Sequence, residues 1–233
     1  MTSLTAPTPH TVPPPELVEL FERFDTIYRD SGGDPARIPW AHRTPCPAMI
    51  NWLNAEASSF VRPGARVAVV GCGLGLDACA LADRGYDVTA FDVCESAIDL
   101  ARRLHPEHAP VFTVADACDP PPRFRHRFDL VVEVHTVQSV PPGCRPALFR
   151  GMAELLAHNG ILLAVARARP DHVSIDEVDG PPWEPTLAEL TAAMRDAGLA
   201  PIRAVDDFLD DGRPPVRRLR GLFRRALRDP GTR

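Results

Sequence analysis

Val67 to Asp92, VAVVGCGLGLDACALADRGYDVTAFD, decides the fold. Val67, Ala68, Val69 and Val70 make a short apolar run, the pattern of a parallel strand covered on both faces. The run breaks at Gly71, Gly73 and Gly75, and an apolar helical segment follows from Ala78 to Arg84. A second strand, Asp87 to Phe91, ends on a single carboxylate, Asp92. Strand, glycine turn, helix, strand and acid is how an α/β sheet seats a nucleoside at the carboxyl ends of its strands. The glycines let backbone approach a ligand with no Cβ in the way. Asp92 is placed to accept hydrogen bonds from both hydroxyls of a ribose.

Glycine spacing separates two classes of nucleotide ligand. A dinucleotide fingerprint is G-x-G-x-x-G, with the third glycine beneath a pyrophosphate. Here that third position is Leu76 and the glycine falls one residue early, giving G-x-G-x-G, which weakens a nicotinamide oxidoreductase reading. A tight strand–helix turn that holds no ligand is the plain alternative.

The flanking sequence extends the same pattern. A helix over Glu95 to Leu104 precedes a third strand, Val111 to Ala115, which ends at Asp116. Asp116 could accept from an adenine amino group while the Ala117 N–H donates to the ring. FDLVVEV is a fourth strand closing on Glu133 and His135, where ligand sites open in such sheets. Pro146 to Ala157 reads as an amphipathic helix stopped by His158-Asn159-Gly160, and Ile161 to Ala166 as a fifth strand. The alternation implies a doubly wound parallel sheet. A connection from Ala168, too long for a turn, is a candidate active-site loop. Thr186 to Ala197 is helical, with Thr186 as N-cap and Glu189 three residues on. A sixth strand is expected near Ala200 to Val205.

The ends differ in character. Residues 1–13, rich in Thr and Pro, are expected to be disordered. Residues 14–60 form an N-terminal helical lid segment and 61–233 the ligand-binding domain. Leu17, Leu20, Phe21, Phe24 and Ile27 recur at helical spacing after Pro14 and Pro15, and Ser31-Gly32-Gly33 ends that helix. Trp40 lies in a proline-stiffened stretch before a short helix through Trp52, either as a core anchor or as part of the lid. Eight arginines between Arg213 and Arg233 follow Asp206, Asp207, Asp210 and Asp211. A face balanced by those acids is favoured over an RNA-binding patch, and the tail reads equally as a strand or an amphipathic helix.

Composition narrows the chemistry. The 233 residues carry 26 basic side chains, all arginine, which excludes a Schiff-base, general-base or P-loop lysine. A net charge of −5 makes no general case for a nucleic-acid partner. Six cysteines lie scattered with no C-x-x-C pair, fitting neither a zinc site nor a disulfide framework. The start has no secretory pattern and no window approaches a membrane span. The expectation is a soluble cytoplasmic protein without a metal; the sequence sets no oligomeric state.

Four stretches together resemble one family: IPWAHRTPCP, GCGLGLD, FDLVVEVHTVQSVPP and GPPWEPT, spanning most of residues 28–190. They resemble the class I S-adenosylmethionine (SAM) methyltransferases, and more narrowly the thiopurine, thiol and halide methyltransferase group. The resemblance implies a Rossmann-like seven-stranded sheet whose antiparallel last strand comes from the Arg-rich tail. It implies SAM as cofactor, held at Trp40, the glycine turn (Gly71, Gly73, Gly75), Asp92 with its neighbour Val93, Asp116, Ala117 and Glu133. Two departures stand out. The acid often found two residues before the first glycine is Val69, and strand four ends in Glu133, Val134, His135 and Thr136 in place of aspartate and aromatics.

The implied reaction is methylation of a small molecule, most simply a thiol on sulfur, which needs positioning more than activation. An oxygen or nitrogen acceptor would need a base, for which His135 and Glu133 are the candidates, His135 titrating in the right range. His135 as a packed histidine without a proton role, and a SAM-binding protein that transfers no methyl, are the other readings.

Overall fold

The apolar run that opens the nucleoside unit forms β1 (Arg66–Val70), and the carboxylate-ended run forms β2 (Asp87–Asp92), paired in parallel. The computed structural model describes residues 13–226, so all but the last residue of the segment expected to be disordered lies outside the described residues. β3 (Phe112–Val114), β4 (Phe128–Val134) and β5 (Leu156–Arg167) complete the parallel part. β8 (Arg217–Arg225) enters antiparallel to β5, so the described part of the Arg-rich tail supplies a strand. Its outer neighbours are β6 (Leu199–Pro201) and β7 (Asp206–Leu209), both antiparallel to it.

The sheet therefore runs β3-β2-β1-β4-β5-β8-β6, with β7 also on β8. β6 faces Phe223 to Arg225 and β7 faces Arg217 to Arg220, so the two are successive halves of one outer strand. Seven strand positions are filled by eight strands, because the chain leaves the ladder between Pro201 and Asp206. Asp206, Asp207 and Asp210 pair with Arg220, Arg217 and Arg218. The acidic stretch thus balances the arginines across the β7–β8 ladder.

Among the described residues six α-helices surround the sheet: α1 (Pro15–Asp30), α2 (Pro47–Ala55), α3 (Leu76–Ala82), α4 (Glu95–Leu104), α5 (Arg145–Leu155) and α6 (Leu187–Asp196). Side chains alternate along each strand, and both sheet faces are covered. Ala68, Val70, Val131, Leu162 and Ala164 pack with α5, α6 and the start of α1. Val67, Val69, Leu130, Val132 and Leu163 pack with α2, α3 and α4. Thr186 caps α6 in the expected capping box with Glu189. Boundaries moved in two places: the sixth strand stops at Pro201, short of the expected Val205, and α5 ends at Leu155 with β5 beginning at once, so His158-Asn159-Gly160 lies within the strand. Phe128 already pairs with Leu156, which extends β5 backward past a register shift.

Candidate active site

A cavity of about 720 Å³ opens over the carboxyl ends of the parallel strands, within the roughly 300–1,000 Å³ common for ligand sites. Trp40, Gly71, Gly73, Gly75, Asp92, Val93, Asp116, Ala117 and His135, nine of the ten residues picked from the sequence, line it.

The nucleoside end is built on two anchored carboxylates. Asp92, at the tip of β2, accepts the Gly73 N–H on Oδ2 and the Cys94 N–H on Oδ1, both at 3.0 Å. Asp116 accepts the Cys118 N–H at 2.7 Å. Burial pushes both carboxyls above the ordinary range, and these N–H bonds partly restore them. Each carboxylate oxygen can accept more than once, so both retain capacity toward hydroxyl or amino donors. Gly71 sits at φ +59°, and a Cβ there would stand 2.3 Å from the Thr136 Oγ1. The Thr136 side chain therefore packs on the Gly71 backbone, and its hydroxyl donates to Val70 O at 3.0 Å, which brings the two strand tips together under the cavity.

α1 supplies one wall through Phe21, Phe24, Ile27 and Tyr28. It is held to the start of α4, where Asp25 accepts the Ser96 N–H at 2.8 Å and its hydroxyl at 3.1 Å. Trp40 is not a core anchor: it lines the cavity with its indole N–H satisfied. Its indole N–H donates to the Tyr28 hydroxyl at 2.8 Å, its ring meets Phe24 edge-on at 5.2 Å, and it remains 38% exposed at the cavity.

Glu133 needs correction. It is fully buried and does not line the cavity, because it shares its strand face with Val131 and points toward the α5 layer. Its Oε1 accepts the Val137 N–H at 2.9 Å, while Oε2 has no partner. Burial raises its carboxyl to about 7. Glu133 thus ties down the segment that carries His135, and touches neither end of the cavity.

His135 does face the cavity, in a left-handed backbone conformation at φ 64°. Its Nε2 lies 2.9 Å from Nη1 of Arg218, at the start of β8. Since a guanidinium only donates, Nε2 is the acceptor and the ring is neutral. Burial, then Arg218, His42 and Arg167, lower its pKa to about 3. Arg218 also donates from Nε to Asp210 at 2.8 Å. Pro181 and Pro182 of the long connection close this end. Two buried arginines fix that loop: Arg145 donates to Trp183 O, and Arg169 to Glu184 O and the Glu189 carboxylate.

The sequence reading passed over Tyr28, Asp77 and Arg218. Tyr28 stands four residues after Phe24 on the same stripe, so helical spacing alone marks it. Asp77 lies two residues past the last glycine of the turn. Arg218 carries no local signal, since β8 reaches β5 from 50 residues away: Arg218 pairs with Arg167. Among the described residues no group of three or more His, Cys, Asp or Glu side chains is placed to hold a metal ion.

Several known proteins are similar to this chain. A family model described as a methyltransferase domain matches residues 67–160, from β1 into the start of β5. Thiocyanate methyltransferase 1 of Brassica oleracea is 26% identical over 180 residues, 74% of each chain. A structure from work on the conversion of a disulfide bond into a thioacetal group during echinomycin biosynthesis superposes with a TM-score of 0.68. It is 24% identical, covering 90% of this chain and 94% of the other. The 1,6-didemethyltoxoflavin-N1-methyltransferase of Burkholderia thailandensis, solved with 1,6-didemethyltoxoflavin and S-adenosylhomocysteine, gives a TM-score of 0.67 at 20% identity. That match covers 96% of this chain and 94% of the other.

Proposed function

The chain carries a class I SAM-dependent methyltransferase domain, and on that premise we propose that it methylates a small-molecule thiol on sulfur. SAM is its methyl donor, and when bound it supplies an electrophilic methyl group to a nucleophile held beside it. Asp92 would accept the ribose hydroxyls and Asp116 the adenine amino group. Val93 and Ala117 would flank the base, and Trp40 would cover it as part of a lid formed by residues 14–60.

The observation that carries the thiol reading is the Arg218–His135 contact. A base for an alcohol, phenol or amine needs an open lone pair and a pKa near the working pH. His135 has neither, with Nε2 filled by Arg218 and the ring held neutral down to about pH 3. The same arginine favours a thiolate at this end of the cavity, and the thiolate is the nucleophilic form. Arg167 lines the same wall. The similarity to a thiocyanate methyltransferase points in the same direction. A cavity of about 720 Å³ with Pro181 and Pro182 in its wall fits a small acceptor, with no nucleic acid. Among the described residues no helix is long and apolar enough to cross a membrane.

The test is a panel of thiols, phenols and amines incubated with SAM, with methylated products read by mass spectrometry. Turnover of thiols is expected. Turnover of oxygen or nitrogen acceptors alone, abolished by His135→Ala, would make His135 the base and overturn the thiol assignment.

A further inference from the structure

Asp77 lies in the first turn of α3, on the cavity wall, and the nucleoside contacts leave it unused. Its Oδ1 accepts the Cys46 N–H at 2.7 Å, which ties the stretch before α2 to the glycine turn. That is its one hydrogen bond, and among the described residues no cation forms an ion pair with it. Burial pushes its carboxyl up, while the Cys46 N–H and the more distant His42 pull it down. The carboxylate is half-buried on the cavity wall, and with one donor it keeps lone pairs that open on the cavity. Its position invites a cation that also carries hydrogen-bond donors.

The cavity fixes which part of the cofactor reaches it. Asp116 and Asp92 stand at the tips of β3 and β2 and mark the adenine and ribose ends. The rest of the molecule must pass the glycine turn toward β4; Asp77 follows that turn and holds Cys46, and the nearby His42 ring lies 5.8 Å from His135 at the end of β4. SAM has two cationic centres there, the sulfonium and the α-ammonium. A sulfonium has no hydrogen to donate, whereas an ammonium has three. A carboxylate set against the sulfonium would also favour the ground state over a transition state in which that charge is dispersing. An ammonium keeps its charge throughout.

We propose that Asp77 is a cofactor-binding residue that takes the α-ammonium of the methionine portion of SAM. The proposal rests on the cofactor assignment and deepens it. It gives the Asp77 carboxylate two tasks: one oxygen fixes the Cys46 backbone, and the remaining lone pairs hold the ammonium. Binding and closure of the segment before α2 are then linked through one side chain.

The experiment is calorimetric titration with S-adenosylhomocysteine and with its analogue lacking the α-amino group, on the wild-type protein and Asp77→Asn. The asparagine keeps an oxygen for the Cys46 N–H. Wild type is expected to prefer the amino-bearing ligand by about tenfold or more, and Asp77→Asn to prefer it by less than about threefold. Asp77→Glu keeps the charge and is expected to retain a preference above about fivefold, which separates lost pairing from a disturbed fold. A wild-type preference surviving in Asp77→Asn would make Asp77 only the strap for Cys46 and overturn the proposal. A wild-type protein that binds neither ligand would overturn the cofactor assignment and the Asp77 role with it, so the wild-type titration tells the two failures apart.

Discussion

Nη1 of Arg218 stands 2.9 Å from Nε2 of His135, joining the start of β8 to the tip of β4 across β5. The imidazole is consequently an acceptor already in use, with its proton on Nδ1.

A first prediction concerns pH. With the folded His135 pKa lowered to about 3, the pH dependence of kcat/KM between pH 5 and 8 should follow the acceptor thiol and show no ionisation from this histidine. His135→Ala should lower kcat/KM less than about tenfold, or 1.4 kcal/mol of barrier. Steady-state rates across that range decide it. A limb near pH 6.5 that disappears in the alanine variant would restore a proton-transfer role.

Glu133 supports a second prediction, in stability. Its carboxyl is raised from 4.5 to about 7 in the folded protein, so the native state holds a proton that the unfolded chain releases. This contribution is complete below pH 4.5 and is lost as pH rises through 7. The depressed His135 acts oppositely: the unfolded ring takes a proton below 6.5 while the folded ring refuses it until about 3, so stability falls as pH drops across that window. Glu133→Gln keeps an acceptor for the Val137 N–H and removes the first effect alone. Relative to wild type it should gain on the order of 3 kcal/mol between pH 4.5 and 8. Denaturant melts at the two pH values measure this, and a constant offset between the proteins would refute it.

The third prediction uses the Tyr28–Trp40 bond. Tyr28→Phe removes the acceptor of the indole N–H while leaving the ring contacts, which is worth about 1 kcal/mol. SAM affinity should fall by roughly fivefold, since that energy now has to come from ordering Trp40 on binding. Trp40→Phe should weaken binding to a similar extent, and the double variant little further. Additive losses in calorimetry would mean that the two residues act separately.

Strand ends and caps were legible in the sequence because their signals are local. Asp92 and Asp116 follow apolar runs directly, Gly71 and its neighbours punctuate, and Thr186 with Glu189 is a spacing rule. Glu133 was misplaced because a strand end marks a position along the chain, whereas facing depends on pleat parity. Val131 and Glu133 share one face, and Val132 and Val134 the other. Counting by twos from the buried valines would have turned Glu133 away from the ligand. Arg218 was invisible for another reason: its role depends on β8 inserting antiparallel beside β5, a long-range pairing that no window of sequence carries. The division of the outer strand into β6 and β7 follows from the same insertion.

That divided outer strand has a consequence for how molecules of this protein meet one another. An unbroken, flat outer strand offers its free amide and carbonyl groups to any second strand, the usual start of edge-to-edge aggregation. Here the outer strand contributes three residues ending in Pro201, a four-residue gap, and four more beginning with two aspartates. A proline lacks the amide a neighbour would need, and Asp206 and Asp207 are held in ion pairs with Arg220 and Arg217 of β8. At the opposite margin β3 is only three residues long. Neither margin gives another copy a template of useful length, so the sheet is closed to growth at both sides.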